Sequence, residues 1–147
     1  MYPLQHIIIS APLATAVGLF TRSLPAGLLC FFSGFLIDVD HFLEYTKYYG
    51  LNHPRPSKIF QACAKMASTE ERGRIKCLFL IFHGVEFALL FWIAYALSAN
   101  IYLLAIACGY SAHLIADASY NSIKPQAYFI TIRIKHKFET AKLIRAR

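Results

Sequence analysis

Residues 78–97 read LFLIFHGVEFALLFWIAYAL, an apolar run broken by His83 and Glu86. About 20 apolar residues suffice for a helix to cross a hydrocarbon core of roughly 30 Å. The two ionisable side chains stand three apart and so share one face of such a helix. Imidazole and carboxylate groups are costly to hold in lipid and are kept there where they have a partner or a task. This stretch therefore predicts a membrane helix with a polar site near its start.

Three more apolar segments lie outward from it, over about 4–20, 24–37 and 101–116. Thr21-Arg22-Ser23 ahead of Pro25 separates the first two, and Ser98-Ala99-Asn100 separates the last two. Breaks this short predict antiparallel neighbours. The fold expected is all-α: an integral membrane four-helix bundle made of two antiparallel hairpins. The polar stretch over 42–76 joins the hairpins, with a loop expected over 45–56 and Tyr45, Tyr48 and Tyr49 at interfacial positions. Ser57 then caps an amphipathic interfacial helix through Met66, with Ile59, Phe60, Cys63 and Met66 at helical spacing. The tail predicts a basic amphipathic helix on the membrane surface. Residues 1–126 thus form the membrane bundle and 127–147 an interfacial tail.

Composition agrees with that class. Hydrophobic residues make up 57% of the 147 residues and charged residues only 16%, against about a quarter charged in a soluble domain. The mean hydropathy is +0.46. Cys30, Cys63, Cys77 and Cys108 form no CxxC pair and read as small buried hydrophobes. Ala14-Thr15-Ala16 resembles a cleavage site, but no Lys or Arg precedes the first apolar stretch, which argues against a signal peptide.

The net charge of +7 raises the question of nucleic acid, and the placement of the charges answers it. Seven basic residues fall between Lys47 and Lys76, seven between Lys124 and Arg147, and only Arg22 in a hairpin turn. With four crossings, the N-terminus, central stretch and tail share one face, which the positive-inside rule makes cytoplasmic. The charge reads as membrane topology and attraction to anionic lipid, with no nucleic-acid partner expected. An inner-membrane, multi-pass location with both termini cytoplasmic follows.

The same topology gathers the polar residues. His6 starts the first helix, Asp38, Asp40 and His41 end the second, His83 and Glu86 start the third, and His113 and Asp117 end the fourth. Antiparallel packing brings all four places to one end. His113 and Asp117, four apart, project from one helix face and can share an ion. Mixed imidazole and carboxylate donors suit zinc, with manganese or iron as alternatives, and eight donors are enough for one or two ions. The candidate ligands are His6, Asp38, Asp40, His41, His83, Glu86, His113 and Asp117. Asp40 and Glu86 are the candidate catalytic carboxylates, Glu86 as ligand or as general base. Tyr110 and Ser111 are candidates for orienting the ligands. His53 reads as a solvated loop residue and His136 as part of the basic face. No GxSxG motif and no phosphate-cradling Gly-rich loop is present.

The order of His6, Leu36-Ile37-Asp38-Val39-Asp40-His41, His83 and Gly109-Tyr110-Ser111-Ala112-His113-Leu114-Ile115-Ala116-Asp117 resembles the YdjM-like family. Those are LexA-regulated, inner-membrane-bound metal-dependent hydrolases. The chain departs from that pattern at Leu36-Ile37, at Ile81-Phe82-His83-Gly84-Val85-Glu86 and at Ser119-Tyr120-Asn121-Ser122. The motif order is more distantly similar to zinc-dependent phospholipase C, which implies phosphodiester or phospholipid substrates. Together the residues and the resemblance imply a metal-dependent hydrolase of a phosphoester or lipid-like ester, with membrane lipids and a small or lipid-like substrate as partners. A membrane metal transporter or sensor, or a non-catalytic structural membrane protein, are the other expectations.

Overall fold

The computed structural model describes residues 3–49, 77–121 and 123–145. Helix α1 spans Pro3–Thr21, α2 Leu24–Phe35 and α3 Val39–Tyr49, with a 3-10 turn at Leu36–Asp38 between the last two. A second 3-10 turn, Ile81–His83, leads to α4 at Val85–Ser98 and then α5 at Ile101–Tyr120. The tail holds a 3-10 turn at Pro125–Tyr128 and two short helices, α6 at Ile130–Lys135 and α7 at Thr140–Leu143. Among the described residues the chain is all-helical, with only two isolated bridges, Cys77 to Glu139 and Ile123 to Ile144. Three helical stretches are long and apolar enough to cross a membrane: Leu4–Thr21, Leu24–His41 and Ile101–Tyr120.

Local chemistry sets the helix starts. The Ser23 hydroxyl accepts from the Ala26 amide at 3.3 Å, and Pro25 occupies the first turn of α2, where its missing N–H costs nothing. Asn100 caps α5 by accepting from the Tyr102 amide at 2.8 Å.

Small residues let α1, α2 and α5 approach closely. A Cβ added to Gly27 would stand 3.2 Å from the Gly18 Cα, and one added to Gly109 would stand 2.1 Å from the Cys30 carbonyl oxygen. Ala14, Val17, Ala26, Cys30 and Ala105 fill the core between them. Lipid gives no hydrophobic drive for helices to associate, so backbone approach of this kind and the contacts it allows hold them together.

The helices are amphipathic in the inverse sense. On α3, Asp40 and Glu44 are buried at 4% while Val39 and Leu43 are 45% and 55% exposed. On α5, His113 and Asp117 are 1% exposed beside Ile115 at 67%. In water this arrangement would be upside down; against lipid it is the low-energy one.

Three expectations change. The apolar run over 78–97 is helical only from Val85, and the 14-residue α4 is about 21 Å long by the rise of an α-helix. Residues 78–84 instead form an irregular segment that includes the 3-10 turn, with Leu78, Leu80 and His83 buried and Ile81 and Phe82 exposed. The tail is no single surface helix: it folds back, and Leu78, Leu80, Ala127 and Leu143 form a small core of their own. Helix continues to Tyr49, where a loop was expected from Tyr45. The expected helix over 57–66 and His53 lie outside the described residues.

Candidate metal centre

Six side chains from five places meet at one point. His6 comes from α1, Asp38 from the turn after α2, His41 from α3, His83 from the second 3-10 turn, and His113 and Asp117 from α5. They form two overlapping groups whose donor atoms all lie within 4.8 Å of one another: His6, Asp38, His113 and Asp117, and Asp38, His41, His83 and Asp117. His6, His83, His113 and Asp117 are each about 1% exposed.

The spacing suits a cation. His6 Nε2 is 3.3 Å from Asp117 Oδ1 and 3.6 Å from Asp38 Oδ2. His83 Nε2 is 3.4 Å from Asp117 Oδ2, and His41 Nε2 is 3.5 Å from Asp38 Oδ1. Ligand atoms at the usual zinc distances stand roughly 3.3 Å apart around a tetrahedral ion.

The histidines are held ready for one. His113 Nδ1 lies 2.8 Å from the Gly34 carbonyl oxygen, which can only accept, so the ring is protonated there and a neutral His113 presents a bare Nε2. His83 Nδ1 lies 3.2 Å from Asp40 Oδ2, which orients it in the same way. The two Nε2 atoms then face each other at 3.2 Å. Two lone pairs at that distance repel unless a proton or a metal ion lies between them. His6 Nε2 is buried as well and makes no hydrogen bond among the described residues. This buried His/Asp group could hold a metal ion.

The expected residues divide by task. Asp40 does not belong to either donor group; its carboxylate accepts from the Phe82 amide and faces His83, so it acts on the centre through that ring. Glu86 turns away altogether. Its carboxylate accepts from the amides of Ile130 and Thr131 at 2.9 and 3.0 Å and from the Thr131 hydroxyl at 3.2 Å, pinning the tail to α4. The geometry thus assigns Glu86 neither a ligand's nor a base's position. Tyr110 donates to the Phe82 carbonyl and reaches the Gly84 carbonyl at 3.3 Å, bracing the turn that carries His83. Ser111 instead accepts from the Trp92 indole N–H at 3.0 Å, between α4 and α5. His136 ends α6 and stands outside both donor groups.

Comparisons with family models, with curated proteins and with solved structures gave no match.

Two residues matter here that the sequence did not single out. Arg133, only 2% exposed, donates to the carbonyls of Phe79 and His83 at 2.7 Å, to Tyr128 at 3.3 Å and also to Leu80. Burial pushes its guanidinium pKa down, and these carbonyls stand in for the water it lost. Glu44 accepts from the Phe79 amide at 3.3 Å, and burial raises its carboxyl pKa. Leu80 sits in the left-handed region at φ 36, a conformation that persists only where surrounding groups over-determine it. Arg133, Glu44 and Asp40 supply that constraint. Their spacing offered one clue: Asp40 and Glu44 are four apart and so share a helix face.

Proposed function

We propose that this chain is an integral membrane metal-dependent hydrolase that cleaves a phosphoester or lipid-like ester at the cytoplasmic face of the inner membrane. One observation carries the reading: the bare Nε2 atoms of His83 and His113, 3.2 Å apart, beside the carboxylates of Asp38 and Asp117. A divalent ion, zinc by the donor chemistry with manganese or iron as alternatives, is the group that reconciles them. Such an ion supplies a Lewis acid and lowers the pKa of a coordinated water, which is what ester hydrolysis near neutral pH requires.

The chain's own residues would do the rest. Asp40 holds the Nδ1 proton of His83, and the Gly34 carbonyl holds that of His113, so both rings keep Nε2 turned inward. Asp38 and His41 are the most open members, with side chains 16% and 13% exposed, and mark the side from which substrate and water arrive. Leu36, Val39 and Leu43 stand exposed along that same segment at 52%, 45% and 55%. An acyl chain suits such a rim, which favours a lipid-like substrate.

The topology in this proposal is four crossings in two antiparallel hairpins, the last hairpin being α4 and α5. The basic central stretch and tail place the site end in the cytoplasm. The resemblance of the His6, Asp38-Val39-Asp40-His41 and His113-to-Asp117 elements to the YdjM-like hydrolases supports the same reading. Transport is less favoured, because a transporter continues its polar donors toward the far side of the membrane. Here the helices close at that end on Ala14, Val17, Ala26, Cys30 and Ala105.

The test is purification in detergent without chelator, metal analysis, and assay on phosphoesters presented in mixed micelles. Wild type should carry metal and hydrolyse at least one phosphodiester or phosphomonoester lipid. Asp117→Ala should lose both metal and turnover. Metal-free wild type, or turnover that survives in Asp117→Ala, would sink the proposal.

A further inference from the structure

We infer that the centre binds two divalent cations, bridged by Asp38 and Asp117; this deepens the hydrolase reading and rests on the same residues. Each of the two carboxylates is split between opposite sides of the cluster. Asp38 turns Oδ2 to His6, at 3.6 Å, and Oδ1 to His41, at 3.5 Å, and to His83 and His113, each at 3.7 Å. Asp117 turns Oδ1 to His6, at 3.3 Å, and Oδ2 to His83, at 3.4 Å, and to His113, at 3.6 Å.

The donor groups overlap at the same two carboxylates. Two groups of four lie within 4.8 Å, and they have only Asp38 and Asp117 in common. A single octahedral ion would bring all six donors within about 4.3 Å of one another, twice an ordinary metal–ligand distance. Two ions account for the arrangement: one on the side of His6, facing Asp38 Oδ2 and Asp117 Oδ1, the other on the side of His41, His83 and His113, facing Asp38 Oδ1 and Asp117 Oδ2. The pair then carries four positive charges against two bridging carboxylates. The surplus positive charge draws an anionic group between the ions. Two ions about 3.5–4 Å apart clamp the attacking and leaving oxygens of a phosphoryl group, which narrows the substrate to a phosphoester over a carboxylic ester.

Counting ions decides it. The full-length protein, stripped with chelator in detergent and reloaded with Zn²⁺, should retain two zinc per chain after desalting. His6→Ala, which removes the imidazole facing Asp38 Oδ2 and Asp117 Oδ1, should fall to one, with helical circular dichroism confirming the fold. Loading wild type with Mn²⁺ should give the exchange-coupled electron paramagnetic resonance spectrum of a bridged pair. One zinc per chain in wild type, or the spectrum of isolated Mn²⁺ at full loading, would overturn the pair and leave a one-ion hydrolase standing. No retained zinc would overturn the pair and the proposed function together.

Discussion

At one end of α1, α2 and α5 the helices close on buried Ala14, Val17, Ala26, Cys30 and Ala105, with Leu13, Phe31 and Cys108 packed against them. At the other end buried His6, His113 and Asp117 and the half-buried Asp38 occupy the equivalent space. The first end is held by shape: Gly18 and Gly27 bring two backbones into van der Waals contact. The second cannot be held by shape alone, because each buried carboxylate loses several kcal/mol of hydration unless a cation compensates it. The difference teaches how the work is divided. Close packing fixes the helix positions, and that fixed geometry holds the polar groups near enough together that they could hold a metal ion.

Gly109 is where the two regimes touch, and breaking it should have the largest effect. Its missing Cβ faces the Cys30 carbonyl, and the neighbouring Gly34 carbonyl receives the His113 ring. Gly109→Val should wedge α5 from α2, costing about 3 kcal/mol or more. It should also abolish zinc retention by carrying His113 and Asp117 away from Asp38. Reversible unfolding in mixed micelles and metal analysis would read both losses. Ordinary stability together with ordinary zinc content would mean that the polar end does not depend on the packed end.

Asp40→Ala tests the polar end without touching a donor in either group. Its carboxylate orients His83 and accepts from the Phe82 amide. Removing such an outer partner weakens metal affinity by about 10–100-fold. A competition titration of zinc against a chelator would measure the change. An affinity loss as complete as that of Asp117→Ala would mark Asp40 as a ligand instead.

Much of this contrast could be read from residue spacing. The apolar segments over 4–20, 24–37 and 101–116 are regular enough for composition and length to reveal helices, and the shortness of the breaks at Arg22 and Ala99 pointed to the end where His6, Asp38, His113 and Asp117 belong. The segment over 78–97 misled because its hydrophobicity is continuous while its backbone is not. Nothing in Leu78-Phe79-Leu80 announces that Arg133 will take the carbonyls of Phe79 and Leu80, since that interaction joins residues more than fifty positions apart. For the same reason Arg133 passed as one more member of a basic face. Local periodicity reports which residues share a helix; it carries no record of a distant guanidinium that replaces a turn of helix with a bound loop.

Glu86 gives the smallest and most discriminating effect. Three residues from His83 on an apolar run, it looked like a ligand or a base, yet its oxygens are taken by the Ile130 and Thr131 amides and the Thr131 hydroxyl. A carboxylate at that place satisfies donors at the start of α6 that would otherwise be unpaired. Glu86→Gln keeps one acceptor oxygen and loses the charge, so the tail should loosen by about 1 kcal/mol. Zinc content should stay at the wild-type value, and turnover should fall only as far as the looser tail lets Arg133 release the turn at His83. Faster limited proteolysis near Ile130 with unchanged metal content is the expected pair of results. Lost zinc, or turnover reduced a thousandfold in a folded protein, would return Glu86 to the centre and require α4 to begin in a different register from the one that now points it at the tail.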